Sequence, residues 1–133
     1  MRAIGYIRVN TGKQADVEIS FAAQREELRA MAAVQHSDLI EIVVDAGESA
    51  KDLKRPGIER ILELVNAGQV DTVIVVSLDR LTRSVRDLRK LLAIFKRRNV
   101  SLVSVAEALD SGTVSGRRIL KIIGGPSQRG SEG

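Results

Sequence analysis

The 133-residue sequence has no cysteine and no tryptophan, one histidine (His36), and only Tyr6, Phe21 and Phe95 as aromatic residues. Each shortage removes a class of function. Without cysteine there are no disulfides and no thiolate metal sites, and the chain suits a reducing cytosol, so the expected location is cytoplasmic. A lone histidine cannot build a zinc cluster. So few rings leave the core to Val, Ile, Leu and Ala, and weaken any scheme in which single-stranded bases stack on aromatic side chains. No apolar run approaches the roughly 20 residues that span a bilayer, so no membrane partner is expected. The N-terminus runs straight into a strand pattern, without signal-peptide character.

What is present is ordinary for a globular domain: 44% apolar and 29% charged residues, in a chain long enough to bury a core. The net charge of +4 is unevenly spread. Residues 1–50 carry 5 Lys/Arg against 8 Asp/Glu, whereas residues 51–100 carry 12 against 6. Between 80 and 98 stand eight basic residues and a single acid, Asp87. A local positive field of this kind attracts polyanions, DNA first among them, although a charge run taken alone also describes a solvated helix face.

Strand patterns fall at 3–9 (AIGYIRV), 39–45 (LIEIVVD, read as buried), 71–78 (DTVIVVSL) and 100–107 (VSLVSVAE). Helical spacing falls at 20–36, with Ser20 as N-cap, and at 57–68, with Pro56 in its first turn and Gly68 closing it. A third helix over 84–99 turns Val85, Leu88, Leu92 and Phe95 inward, and a fourth begins at 115. Gly124, Gly125 and Pro126 stop that last helix, so 124–133 reads as a disordered tail behind a domain of residues 1–123. Alternating strands and helices predict an α/β fold with a mainly parallel sheet and right-handed crossovers.

In such folds ligands sit beyond the carboxyl ends of the strands. The first strand ends at Arg8-Val9-Asn10, with Gln14 beyond it. The second ends at Asp45, followed by Ser49 and Arg55, and the third ends at Asp79-Arg80, with Arg83 three residues on. Guanidinium groups bind phosphate oxygens through paired N–H bonds, and several converging on one phosphate stabilise a pentacovalent transition state without a metal. Arg80 and Arg83, at i and i+3, are expected on one helix face, and Asp79 to orient an arginine or protonate a leaving oxygen. Taken singly, each arginine is better explained by a surface ion pair; the joint placement at three strand ends shifts the balance toward a phosphodiester site. A flavodoxin-like small-ligand domain is disfavoured, because no glycine-rich loop follows the first strand and arginines outnumber the carboxylates.

The segments GYIRVNTGKQ, DAGESAKDLKRPG, VSLDRLTRS and SGRRIL, in this order and at these separations, resemble the catalytic domain of the serine recombinases, the resolvases and DNA invertases. The resemblance covers residues 1 to about 123. It implies a resolvase-like three-layer fold with a mostly parallel central sheet flanked by helices. It also implies site-specific recombination, in which a serine attacks a DNA phosphate to form a 5′-phosphoserine link, with no metal or other cofactor. The partners it implies are double-stranded DNA and further copies of the chain, as a homodimer that becomes a tetramer in synapsis. The phosphate-binding arginines match Arg8, Arg55, Arg80 and Arg83, and accessory residues match Gln14, Asp45, Ser49 and Asp79.

Two features depart from the family. The nucleophile position holds Asn10, whose amide nitrogen has given its lone pair to resonance and cannot replace an activated hydroxyl. Thr11 has a hydroxyl, but a shift of one residue points it elsewhere. The family also continues its last helix across the minor groove into a DNA-binding domain, and neither is expected within residues 1–133. An apolar stripe of Ile119, Leu120, Ile122 and Ile123 is left to find a partner subunit or a place in the core. The implied function is therefore a recombinase catalytic domain inactive at Asn10; the alternative is a dimerising, DNA- or anion-binding remnant that has no catalytic role.

Overall fold

The computed structural model describes residues 1–10, 13–46 and 53–121. The chain runs β1 (Arg2–Val9), α1 (Gln14–Val34), β2 (Asp38–Ala46), α2 (Pro56–Asn66), β3 (Thr72–Val75), α3 (Leu78–Leu81), α4 (Val85–Arg97), β4 (Ser101–Ser104) and β5 (Leu109–Asp110), followed by a helical segment over 114–121. The sheet order is β2-β1-β3-β4-β5. All pairings are parallel except β4 with the two-residue β5.

β1 is buried on both faces, and its side chains alternate between two cores. Ala3, Ile7 and Val9 meet Leu28 and Ala32 of α1, while Ile4 and Tyr6 meet Ile58, Ile61, Leu88, Leu91 and Phe95 from α2 and α4. One helix thus covers one face and the others cover the opposite face, which gives the three layers expected. Gly5 is needed for the close approach of α1, since a Cβ there would lie 2.8 Å from Leu28 Cδ1. The chain leaves β1 for β2 on one side and returns to β3 on the other. The carboxyl ends of β1 and β3 therefore flank a topological switch point.

Several expected elements are corrected. The first helix starts six residues before Ser20, with Lys13 as its N-cap and Asp16 in the first turn. Gln, Ala and Asp are compatible with a helix start, and an acid is favoured there by the helix dipole. Ser20 is internal, and its Oγ accepts from Gln24 Nε2 at 3.0 Å. The 39–45 strand is an outer strand, not a fully buried one: β2 pairs with β1 alone and leaves Ile40 and Val44 more than 40% exposed. In α4, Leu91 is buried with Leu88 and Phe95, while Leu92 is only partly buried. Ser84 caps this helix by accepting from Asp87 N at 3.1 Å. The 71–78 run is divided between the four-residue β3 and the short α3. On the helical segment over 114–121, Leu120 joins the core and Ile119 is 40% exposed. Thr11, Ser49, Ile122, Ile123 and the 124–133 tail lie outside the described residues.

Candidate phosphate site

The site is assembled at the switch point around α3. Period-2 alternation puts Tyr6 and Arg8 on the same face of β1, the face that α2 and α3 cover. Arg8 is 4% exposed, yet its hydrogen bonds lead toward the surface. Its Nε donates to the Arg80 carbonyl at 3.1 Å, and Arg80 Nη1 donates back to the Arg8 carbonyl at 3.0 Å. Arg8 Nη1 donates to Oδ1 of the exposed Asn10 at 3.2 Å. The side chain at the nucleophile position therefore touches the guanidinium that the resemblance assigns to phosphate binding.

Arg55 caps the first turn of α2 by position and is 3% exposed. Its Nη1 donates to Tyr6 Oη at 2.7 Å, and its Nη2 donates to the Leu81 carbonyl. Tyr6 Oη in turn donates to Asp45 Oδ2 at 2.8 Å, while Asp45 Oδ1 accepts from Gly57 N at 2.7 Å. A Cβ on Gly57 would lie 2.6 Å from Asp45 Oδ2, so this carboxylate needs glycine beside it.

Arg80 lies in α3, but Arg83 does not share its helix face. Thr82 between them is extended (φ −164°, ψ 149°), and the chain leaves α3 there. Arg83 is exposed, and its charge still reaches Arg8. Burial first, and then the charges of Arg80, Arg55 and Arg83, push the Arg8 guanidinium below its ordinary value, partly opposed by Tyr6. Several cations thus share one region. Among the described residues no ion pair joins Arg80 or Arg83 to a carboxylate. Like charges held together in this way raise the local positive potential and favour an arriving anion.

The remaining predicted residues are placed less centrally. Asp45 is 3% exposed, as buried as Arg8 and Arg55, and it positions Tyr6 and the start of α2. Gln14 is exposed in the first turn of α1 and donates to Glu18 at 3.1 Å. Asp79 is exposed and accepts from Ser77 Oγ at 2.6 Å. That bond, with the nearby Arg80 and Arg83 charges, pulls its carboxyl below the usual aspartate value against the effect of burial. A carboxylate held ionised in this way suits orienting an arginine better than protonating a leaving oxygen.

Sequence reasoning missed two contributors. Gln24, 4% exposed, donates from Nε2 to the Arg8 carbonyl at 3.2 Å, the same oxygen that Arg80 contacts. Its signal was available: an amide midway between Phe21 and Leu28 on the apolar stripe of a helix. Tyr6 was noted only as one of the three aromatic residues, though it stands two residues before Arg8 on the same strand face.

Tyr6 is the sequence's single tyrosine, which makes a direct test possible. Burial, followed by the Asp45 hydrogen bond, pushes its phenol well above the ordinary value near 10, against the opposing Arg55 charge. The neutral phenol is thus favoured by folding. That stability is fully present below pH ~10 and is lost as pH rises through the elevated folded value. Tyrosinate absorbance near 295 nm is expected to stay flat through pH 10 and to appear only together with alkaline unfolding seen by circular dichroism. Ordinary titration near pH 10 in a folded chain would contradict the buried Tyr6–Asp45 bond.

Among the described residues no cluster of His, Asp and Glu is arranged to hold a metal, and no helix is long and apolar enough to cross a membrane. A separate concavity of about 500 Å³, lined by residues that include Arg89, Lys96, Val100 and Arg117, lies near the amino end of β4, away from the predicted site residues.

This fold and this basic cluster define a resolvase-type α/β domain. The family model described as "Resolvase, N terminal domain" matches residues 3–132. The chain is 31% identical over 121 residues to the DNA-invertase of Enterobacteria phage P7, covering 91% of this chain and 58% of that protein. It is 33% identical over 122 residues to the transposon Tn552 resolvase of Staphylococcus aureus, covering 90% and 54%. The crystal structure of the N-terminal catalytic domain of TP901-1 integrase superposes with a TM-score of 0.89 at 30% identity, covering 99% of this chain and 98% of that one. The chain belongs to the serine recombinase family and corresponds to its N-terminal, resolvase-type catalytic domain. It spans little more than half the length of the curated relatives it matches.

Proposed function

We propose that this chain is a recombinase catalytic domain that grips a DNA phosphate through Arg8, Arg55, Arg80 and Arg83 but, with Asn10 at the nucleophile position, does not cut the strand. The observation that carries this reading is the reciprocal Arg8–Arg80 clasp with Asn10 bonded to Arg8 Nη1 beside it. A phosphate entering there meets N–H donors held in place by backbone carbonyls, so little ordering is lost on binding. The carboxamide at residue 10 keeps a polar contact to Arg8 and supplies no attacking oxygen. Duplex DNA is the substrate class, and other copies of the chain are the partners; Ile119 and Val114, exposed on the helical segment over 114–121, offer apolar surface for assembly. The alternative remnant, without a catalytic arrangement of side chains, is separated from this reading by restoring serine at position 10.

The chain as it stands is expected to bind duplex DNA weakly, with log K falling linearly against log salt. Arg83→Ala, at an exposed position, should weaken binding and lower the salt slope by about 0.9 for one lost phosphate contact. Binding insensitive to salt, or unaffected by Arg83→Ala together with Arg80→Ala, would refute phosphate binding at this cluster.

A further inference from the structure

We infer that Glu107 is a positioning residue for the arginine cluster, acting through α3; the inference rests on the phosphate-binding reading above. α3 has only four residues, too few to be stable alone, and everything in the cluster is referenced to it. Its Arg80 carbonyl holds Arg8 Nε, its Leu81 carbonyl holds Arg55 Nη2, and it carries Arg80 itself. Whatever fixes α3 therefore fixes three guanidiniums.

The residue at the N-cap position does not do this. Ser77 precedes α3, but its hydroxyl is donated to Asp79 Oδ1 and makes no cap hydrogen bond to the helix. The amide of the buried Leu78 instead donates to both oxygens of Glu107, at 3.3 and 3.4 Å, across 29 residues of chain. Glu107 is itself held by the hydroxyl of Ser104, a fully buried residue at the end of β4. Val105 N and Ala106 N bond the Val75 and Val76 carbonyls, which ties this segment to the chain leading into α3. The next residue, Ala108, has φ 52°, a left-handed conformation costing a non-glycine residue roughly 1 kcal/mol. The turn thus keeps a strained residue next to the carboxylate that reaches α3. Glu107 links the β4–β5 turn to the start of α3, and Arg8 and Arg55 join it at its end.

The test compares Glu107→Ala with Glu107→Gln, which keeps an oxygen acceptor for Leu78 N. In the chain with Asn10, water exchange of the Arg8 Hε and of the Leu78 amide is followed by NMR. Glu107→Ala should accelerate both by about tenfold, and Glu107→Gln should stay within about threefold of the parent. In the Asn10→Ser background, Glu107→Ala should slow covalent adduct formation by about tenfold or more, with Glu107→Gln again close to its parent. Unchanged Arg8 Hε exchange in Glu107→Ala would overturn the inference. Equal losses in both variants that track their melting temperatures would also overturn it, by reducing Glu107 to a stability residue. If Asn10→Ser with Glu107 intact, fused to a DNA-binding domain and bound to DNA, forms no adduct, the recombinase reading fails, while the exchange measurement still decides the role of Glu107.

Discussion

Asn10→Ser, with the domain fused to a DNA-binding domain of known site, is expected to turn a chain that forms no covalent adduct into one that does. Two copies of that site would flank the duplex segment to be cut, and the product is read as a protein–DNA band that survives denaturing electrophoresis. The reasoning is geometric. Residue 10 lies just past the end of β1, exposed, with Arg8 Nη1 3.2 Å from the present Oδ1. A serine Oγ at this position would face the same guanidinium and any phosphate bound to it. Its oxygen would form the new bond to phosphorus as the bond to the 3′ oxygen breaks; the serine proton goes to solvent or a base, and the 3′ oxygen gains a proton. On the proposed reading the cluster serves the charge that develops, so one side chain, a carboxamide in place of a hydroxyl, is what separates the two chains. Adding Arg80→Ala to Asn10→Ser should then remove adduct by about a hundredfold, the scale set by losing one preorganised donor to a transition-state oxygen. An adduct formed equally by the Asn10 chain would mean that a neighbouring hydroxyl such as Thr11 does the attacking. No adduct from a folded, DNA-bound Asn10→Ser chain would favour the remnant without catalytic function.

Much of this arrangement was legible in the sequence because its signals are local. The apolar run 73–75 and the turn chemistry of Pro56 and Gly68 marked β3 and both ends of α2, and Gly68 indeed has φ 72°. The strand-end rule gathered Arg8, Arg55 and Arg80 from distant parts of the chain, and each makes a hydrogen bond to another member of the site. What it did not reveal was depth. A strand-end aspartate reads alike whether it faces a ligand or is buried in supporting bonds, and Asp45 is buried, bonded to Tyr6 and Gly57. Nor was the short extent of α3 legible, because a four-residue helix is made by tertiary contacts rather than by propensity. Once Thr82 is extended, the i, i+3 argument that paired Arg80 with Arg83 on one face loses its premise. The place of Gln24 on the apolar stripe marked it as buried, but neither its partner, the Arg8 carbonyl, nor that of Glu107, the Leu78 amide, was legible, because no periodicity reports a bond to a remote backbone group.

Asp45→Ala is expected to be the most destabilising single change in the site, by about 3–5 kcal/mol, because it removes one partner from a buried, charged, hydrogen-bonded group. Three donors depend on this carboxylate, directly or through one bond. Tyr6 Oη loses its acceptor, Gly57 N loses the bond that fixes the first turn of α2, and Arg55 is left bonded to a phenol with no anion behind it. All are buried, so water does not readily replace what is lost. Asp45→Asn keeps an oxygen for one of these donors and should cost less. Gly57→Ala approaches the same failure from the other side, pushing a methyl group into the carboxylate. Urea unfolding of the three variants against the parent would give the ranking, with Asp45→Ala lowest. A loss under about 1 kcal/mol for Asp45→Ala, the size of an exposed ion pair, would mean that the carboxylate is hydrated and that Arg55 is not held by it. Arg55 would then owe its place in the cluster to Tyr6 Oη and the Leu81 carbonyl alone, and the support of its part in the phosphate grip would have to be reassigned to those two bonds.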